Sequence, residues 1–185
     1  MDTSQPSQDT GTRGGLSKTW VAAGAVAVLV LGLLGYGLLS RPATTLQVGS
    51  PVPGFQITAL DGSSMSLAAE QGNVVVINFF ASWCNPCREE AADIEATWRQ
   101  YQDRGVQFMG IAYKDADSKA QAFLDEFGAT YLSAVDPGNR TARAYGVTGV
   151  PETFVVDQQG QLVQHFIGPV TQAELDQVLA PLLGH

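Results

Sequence analysis

The residues best suited to chemistry in this sequence are its two cysteines, Cys84 and Cys87, which lie three positions apart in ASWCNPCREE (81–90). A disulfide that closes so short a loop constrains the unfolded chain only slightly, so the pair would add little to the stability of the fold. Two thiols at this spacing can instead cycle between the dithiol and the disulfide. The spacing therefore predicts dithiol chemistry.

Other uses of a Cys-x-x-Cys pair require residues that this sequence lacks. A zinc site needs two more ligands, and the two histidines, His165 and His185, are far from the pair in sequence. Covalent haem attachment needs a histidine directly after the second cysteine, where Arg88 stands. We therefore predict no metal site and no cofactor beyond a redox-active Cys84–Cys87 disulfide.

The segments around the pair predict where it lies in the fold. VVVINFF (74–80) is a continuous apolar run, typical of a strand buried on both faces, and residues 86–105 have a helical pattern. A cysteine at a helix N-terminus lies beside unpaired N–H groups that stabilise its thiolate and lower its pKa. Cys84 is thus the expected nucleophile and Cys87 the resolving thiol. Pro86 suits the first helical turn, where its missing N–H is not needed.

The rest of the chain alternates strands and helices, which indicates an α/β fold. Asp61-Gly62 predicts the turn of an N-terminal hairpin, and Gln158-Gln159-Gly160 predicts the turn of a second one. Further strands are predicted at 106–113 and 131–135, and further helices at 118–127, 140–145 and 172–183, the last capped by Thr171.

The composition is acidic, with 18 Asp and Glu against 10 Lys and Arg, and no basic cluster is present. A nucleic-acid surface is therefore not expected.

An uncharged apolar run from Trp20 to Leu39 is long enough to cross a bilayer as a helix. One alternative is a buried core helix, although such helices are usually shorter and carry a polar face. The other is a cleaved signal peptide, although SRPATT offers a poor cleavage site. We expect a disordered cytoplasmic tail (1–18), a transmembrane anchor (19–40), a linker (41–46) and one domain (47–185). Two basic residues before the run and one shortly after it favour an extracytoplasmic domain.

Two segments carry a resemblance to a known family. NFFASWCNPCREE (78–90) resembles the active site of thioredoxin-like proteins, in particular the extracytoplasmic group that includes the cytochrome c maturation thioredoxins. GVTGVPETFVVDQQG (146–160) is similar to that group's G-V-P-E-T-F segment, and the N-terminal hairpin matches as well. The resemblance covers about residues 46–185. It implies a thioredoxin-like fold, with a central mixed sheet flanked by helices and a central insert at 115–135.

The resemblance also implies roles for residues outside the cysteine pair. Pro151 is expected to be cis and to place the Val150 backbone beside Cys84, ready to pair with an extended substrate; an ordinary proline at a strand start is the alternative. Trp83 is expected to shield the thiolate and to offer an apolar contact; a core role is the alternative, and the two are not exclusive. Glu90 matches an acidic residue that tunes the cysteines, unless it is a surface residue of the helix. Glu152 matches an acidic residue after the proline whose role is open.

Three positions depart from the pattern of thioredoxin or its relatives. Asn78 stands where thioredoxin has a buried aspartate, so that proton relay is absent. Phe80 replaces a frequent tryptophan. Ala92 replaces a proline that commonly kinks the helix, so a straighter helix is expected.

The apolar run predicts a single-pass protein of the cell membrane, and the resemblance implies that it reduces a disulfide in apocytochrome c or in one of its assembly partners. A membrane electron donor would re-reduce it, and nothing in the sequence demands an oligomer. One alternative is a general extracytoplasmic thiol reductase. The other is a copper-binding assembly factor, for which the cysteine spacing is too short; His165 is expected to be an exposed or packing residue.

Overall fold

The computed structural model describes residues 27–32 and 46–184 of this chain. Residues 27–32 are helical. Within the two described ranges, no helix combines the length and the apolar character that a membrane crossing needs. Most of the expected anchor (19–40), all of the expected tail (1–18) and the linker up to residue 45 lie outside the described residues.

The domain begins with the predicted hairpin. Strands β1 (Gln56–Thr58) and β2 (Ser64–Ser66) pair antiparallel, with Ile57 opposite Met65. The Asp61 carboxylate accepts a hydrogen bond from the Ser63 backbone N–H at 2.8 Å, and Gly62 takes a positive φ of 85°. This is the turn chemistry that Asp-Gly supplies, so the predicted hairpin is confirmed.

A five-stranded mixed sheet forms the centre of the domain, in the order β5-β4-β3-β6-β7. Its strands β3, β4 and β5 are parallel, and β6 and β7 are antiparallel to their neighbours. The bounds are β3 Val74–Phe80, β4 Val106–Ala112, β5 Leu132–Val135, β6 Glu152–Val156 and β7 Leu162–Ile167. All seven residues of β3 are buried, as its continuous apolar run predicts.

The helices α1 (Asn85–Tyr101), α2 (Asp117–Phe127), α3 (Arg140–Tyr145) and α4 (Gln172–Leu182) cover both faces of the sheet. Helices α1, α2 and α4 share one apolar core with Val76 and Phe80 of β3. The hairpin and α3 share the other with Ile77 and Phe79. Successive strand residues point to opposite faces, so β3 is the centre of both cores.

Each predicted helix is present in the structure, with small differences in where it begins or ends. Helix α1 begins at Asn85, one residue earlier than predicted, and ends at Tyr101, four residues earlier. The last four residues of the predicted helix form a turn that Gly105 closes with a φ of 77°. Helix α1 is unbroken across Ala92. At α4, Thr171 and Glu174 form a reciprocal capping box, which fixes the predicted start.

The predicted central insert forms α2 and the edge strand β5. Its helix is joined to α1 by an ion pair between Arg88 and Glu126. The Arg88 guanidinium also lies 5.0 Å from the centre of the Phe127 ring, in a cation–π contact. The insert therefore packs beside the cysteine helix. The structure confirms the thioredoxin-like α/β architecture.

Substitution of Gly110, in β4, tests how closely this sheet is packed. An alanine Cβ there would lie 2.5 Å from Ser133 Oγ and 2.9 Å from Tyr131 Cε2. We expect Gly110→Ala to lower the free energy of unfolding by about 1–3 kcal/mol, as overpacking of a core does. Urea unfolding measures it, and Gly54→Ala, whose Cβ would meet nothing within 4 Å, is the control. Equal unfolding midpoints for the two variants would contradict the expectation.

Candidate active site

The two cysteines form a disulfide at the N-terminus of α1, directly after β3. Cys84 is the N-cap residue, with extended backbone angles, and its Sγ accepts a hydrogen bond from the Cys87 N–H at 3.1 Å. The Cys84 sulfur therefore lies at the positive end of the helix dipole, which stabilises a thiolate after reduction. Pro86 lies in the first turn of α1, where the helix does not need its N–H.

The two sulfurs differ in access. The residue Cys84 is 4% exposed and Cys87 is fully buried. An incoming substrate can therefore reach Cys84 before it reaches Cys87. This order is what a nucleophile and a resolving thiol require.

The cis peptide bond between Val150 and Pro151 lies against the disulfide. The Val150 carbonyl oxygen is 3.4 Å from Cys84 Sγ, although residues 84 and 150 are distant in sequence. Residues 148–151 form the segment that leads into β6, and β6 pairs antiparallel with β3. Pairing of these two strands brings the proline segment to the edge of the sheet where Cys84 lies.

Trp83 is 57% exposed, so it is a surface residue beside the disulfide and the core alternative is wrong. Its indole Nε1 donates a hydrogen bond to the Lys114 carbonyl oxygen at 3.2 Å. The preceding residue, Ser82, is held by Asp115, whose carboxylate accepts from the Ser82 N–H at 2.6 Å and from its hydroxyl at 3.0 Å.

Sequence reasoning did not single out Lys114 and Asp115. They follow the carboxyl end of β4 closely, and β4 is the parallel neighbour of β3. The carboxyl ends of adjacent parallel strands meet at one edge of a sheet. The position of Lys114 and Asp115 just after the second buried strand could therefore have placed them beside the cysteine motif.

Glu90 is buried, with 2% of the residue exposed, so its placement on the surface of the helix is wrong. Its Oε1 accepts from Asn78 Nδ2 at 2.7 Å, and its Oε2 accepts from the Val170 N–H at 2.9 Å. Burial raises the pKa of Glu90 to about 7, although both hydrogen bonds act to lower it. Asn78 also donates to Thr153 Oγ1 at 3.0 Å. A carboxyl that can change protonation near neutral pH therefore lies one helical turn after Cys87.

Glu152 is the second buried carboxylate of the site, with 5% of the residue exposed. Its Oε1 accepts from the N–H groups of Thr148 and Gly149 at 3.2 and 3.4 Å. Its Oε2 lies 2.7 Å from His165 Nε2. Glu152 thus holds the backbone that precedes the cis proline. His165 is half-buried, and its ring stacks on Phe154, so the expectation of a packing residue is confirmed and that of an exposed one is wrong.

The structure describes the geometry of possible metal ligands only for residues 27–32 and 46–184. In those ranges, no three or more His, Cys, Asp and Glu side chains are gathered as they would be around a metal ion.

The raised pKa of Glu90 predicts how stability depends on pH. Its ordinary value is 4.5 and its value in the fold is about 7, so between these pH values the folded protein binds more protons than the unfolded chain. The contribution of Glu90 to the free energy of unfolding should therefore fall by about 3 kcal/mol as pH rises through this window. Glu90→Gln, which resembles the protonated carboxyl, should lose this dependence.

Urea unfolding of the oxidised protein between pH 4.5 and 8.5 measures the effect. The matched control is Glu89→Gln, the same change at the exposed neighbouring residue. Parallel pH profiles for Glu90→Gln and the unsubstituted protein would show that Glu90 does not titrate in this range.

Comparison with known proteins agrees with the geometry. The Redoxin family model matches residues 47–179. The thiol:disulfide interchange protein HelX of Rhodobacter capsulatus is 35% identical over 142 residues, which are 75% of this chain and 78% of HelX. The thiol-disulfide oxidoreductase ResA of Bacillus anthracis is 29% identical over 131 residues, 71% of this chain and 76% of ResA.

A solved structure shows the same fold. The thiol:disulfide interchange protein of Chlorobium tepidum, from the thioredoxin family, superposes with a TM-score of 0.68 at 29% identity. The match covers 75% of this chain and 99% of that protein. With a disulfide at a helix N-terminus and a cis proline against it, this chain belongs to the Redoxin family and is a thiol-disulfide oxidoreductase with a thioredoxin-like fold.

Proposed function

We propose that this oxidoreductase is held in the cell membrane by residues 19–40 and reduces a disulfide of apocytochrome c, or of an assembly partner, outside the cytoplasm. The uncharged run from Trp20 to Leu39 supports the anchor. The likeness of residues 78–90 and 146–160 to the cytochrome c maturation group supports the substrate class. The observation that carries the mechanism is the position of Cys84 Sγ, between the α1 N-terminus and the Val150 carbonyl.

The first step is attack on the substrate disulfide. The Cys84 thiolate attacks one sulfur of that disulfide, a mixed disulfide forms, and the other substrate sulfur leaves as a thiolate that takes a proton. An extended substrate pairs with the backbone at Val150 during this step. Trp83, exposed beside the disulfide, offers the substrate an apolar contact.

The second step releases the product. The Cys87 thiolate attacks Cys84 Sγ, the Cys84–Cys87 disulfide forms, and the second substrate sulfur leaves as a thiolate. Two electrons have then passed from the protein to the substrate. Glu90 lies three residues after Cys87, on the same side of α1, and with a pKa of about 7 it can take the Cys87 proton at neutral pH.

The protein must then be reduced again. A membrane electron donor of the dithiol class would attack the Cys84–Cys87 disulfide and be left as a disulfide itself. The pair needs no other cofactor for this cycle. The protein would act as a monomer, with protein thiols and disulfides as its partners.

Trapping of the mixed disulfide tests the substrate. In full-length Cys87→Ala the resolving thiol is absent, so substrates should stay bound to Cys84 through a disulfide. We expect precursors of c-type cytochromes, or proteins of their assembly, among the trapped species identified by mass spectrometry after reduction. Cys84→Ala is the control and should trap none of them. A broad set of unrelated secreted proteins would instead indicate a general thiol reductase.

Labelling of cells tests the location. A membrane-impermeant maleimide should modify Cys84 of the Cys87→Ala variant in intact spheroplasts after mild reduction, and the labelled protein should sediment with membranes. A variant without residues 1–40, produced in the cytoplasm, should be labelled only after lysis. Protection of the full-length protein from the reagent until lysis would refute an extracytoplasmic domain.

A further inference from the structure

We propose that His165 is a positioning residue for the substrate-binding segment: it orients the Glu152 carboxylate, which in turn fixes the backbone of Thr148 and Gly149 ahead of the cis proline. The effect falls on the binding of an extended polypeptide and leaves the chemistry of Cys84 unchanged. The proposal rests on thiol-disulfide exchange at Cys84 and does not depend on which protein is the substrate.

The register of the second hairpin puts the two side chains on one face of the sheet. Glu152 lies opposite Ile167, and Phe154 lies opposite His165. Glu152 and His165 are therefore diagonal neighbours across β6 and β7, a distance that long and ring side chains can span. Their Oε2 and Nε2 atoms are 2.7 Å apart.

A β-bulge decides this register. The pairing shifts between Val155 and Val156, where Val156 lies opposite Leu162 and Val155 lies opposite Gln164. Without the bulge, continuous pairing from Val156 would place His165 opposite Thr153, on the other face. A shift of one residue exchanges the faces of every side chain beyond it. The bulge is thus what brings His165 to Glu152.

The Glu152 carboxylate divides its two oxygens between His165 and the proline segment. Oε2 faces His165, and Oε1 accepts from the N–H groups of Thr148 and Gly149. In the His165 tautomer that carries its proton on Nε2, this nitrogen donates the hydrogen bond to Glu152 Oε2. The Glu152 side chain is 6% exposed, so water has little access to replace this partner. Loss of the donor would free the carboxylate to rotate, and its hold on the segment would weaken.

His165 is itself held by the core. Its ring stacks on Phe154, with centroids 4.0 Å apart and planes at 14°. Phe154 is fully buried and packs edge-on against Phe79 and Tyr145. The position of the imidazole ring is therefore fixed, and the Glu152 carboxylate orients toward it.

This series of contacts leads from His165 to the backbone that would pair with a substrate. The two amides that Glu152 holds precede Val150 directly, and the Val150 carbonyl oxygen lies 3.4 Å from Cys84 Sγ. Displacement of the segment would misalign the backbone that pairs with a polypeptide. The α1 N-terminus and the Cys87 N–H, which act on the Cys84 sulfur, would be untouched.

Two substitutions separate the hydrogen bond from the shape of the ring. His165→Phe keeps a flat ring on Phe154 and removes the donor, whereas His165→Gln retains an N–H donor close to the Nε2 position. Gln164→Ala, at a neighbouring residue of β7 that points to the other face, is the matched control. His165→Asn is a second variant without the donor, because its amide is too short to reach Glu152.

The measurement uses pre-reduced full-length protein and two oxidants in single-turnover reactions. One is a peptide with an extended sequence and one internal disulfide; the other is 5,5′-dithiobis(2-nitrobenzoate), which has no peptide backbone to pair. For His165→Phe and His165→Asn, the peptide concentration at half-maximal rate should rise about three- to tenfold, the range that one lost hydrogen bond spans. The limiting rate and the rate with the small disulfide should stay within about twofold, as should every parameter of His165→Gln and Gln164→Ala.

Three results would overturn the proposal. One is an unchanged half-saturation concentration in His165→Phe and His165→Asn. Another is an equal loss of rate with both oxidants, which would indicate a general structural defect. The third is failure of His165→Gln to restore peptide binding. Should His165→Phe not fold, as judged by its thermal unfolding, His165→Asn decides the outcome alone. Because neither oxidant is a cytochrome precursor, the result is independent of the proposed substrate.

Discussion

The whole site depends on holding one sulfur atom between two backbone elements. Cys84 Sγ accepts the Cys87 N–H at the start of α1 and lies against the Val150 carbonyl oxygen. The first contact stabilises a thiolate, and the second puts that thiolate where an extended chain can pair with the protein. The first contact is local to the start of α1, whereas the second depends on the antiparallel pairing of β3 with β6, because β3 leads into Cys84 and Pro151 leads into β6.

Two buried carboxylates stabilise the segments around this sulfur from opposite faces of the sheet. In the pairing of β3 with β6, Asn78 lies opposite Thr153 and Phe79 lies opposite Glu152. Consecutive strand residues point to opposite faces, so Glu152 is on the α3 side, while Asn78 and its partner Glu90 are on the α1 side. Glu90 binds the N–H of Val170, ahead of α4, and Glu152 binds the segment ahead of β6. Each uses a carboxyl oxygen that accepts a backbone N–H to fix a loop that lacks regular secondary structure.

The features that the sequence predicts correctly are those set by nearby residues. The apolar run of β3, the Asp61-Gly62 turn and the Thr171 cap each depend on only a few positions, and all were predicted. The motif alone indicated the redox role of Cys84 and Cys87. The end of α1 was placed too late, because a turn and not a helix leads to Gly105.

Contacts between distant residues were harder to predict. The hydrogen bonds of Asp115 with Ser82 join residues 33 positions apart, with helix α1 and strand β4 between them in sequence. His165 and Glu152 are 13 positions apart in one hairpin, yet simple counting from its turn would put them on different faces. The bulge at Val155 and Val156 reverses that outcome, and no residue type in QLVQHFIG marks it in advance. The burial of Glu90 likewise depends on the packing of α1 and the Val170 segment, which one helix pattern cannot reveal.

The complete burial of Cys87, one helical turn from Cys84, has a consequence for how a covalently attached substrate is released. The resolving sulfur is already fixed three residues from Cys84, so release of the substrate needs no thiol from solution. Such a step is first order, with a high effective concentration and a rate independent of the surrounding thiol pool. The lifetime of the mixed disulfide therefore depends on the reactivity of the Cys87 thiol and on the substrate thiol that leaves, and not on encounters with other thiols.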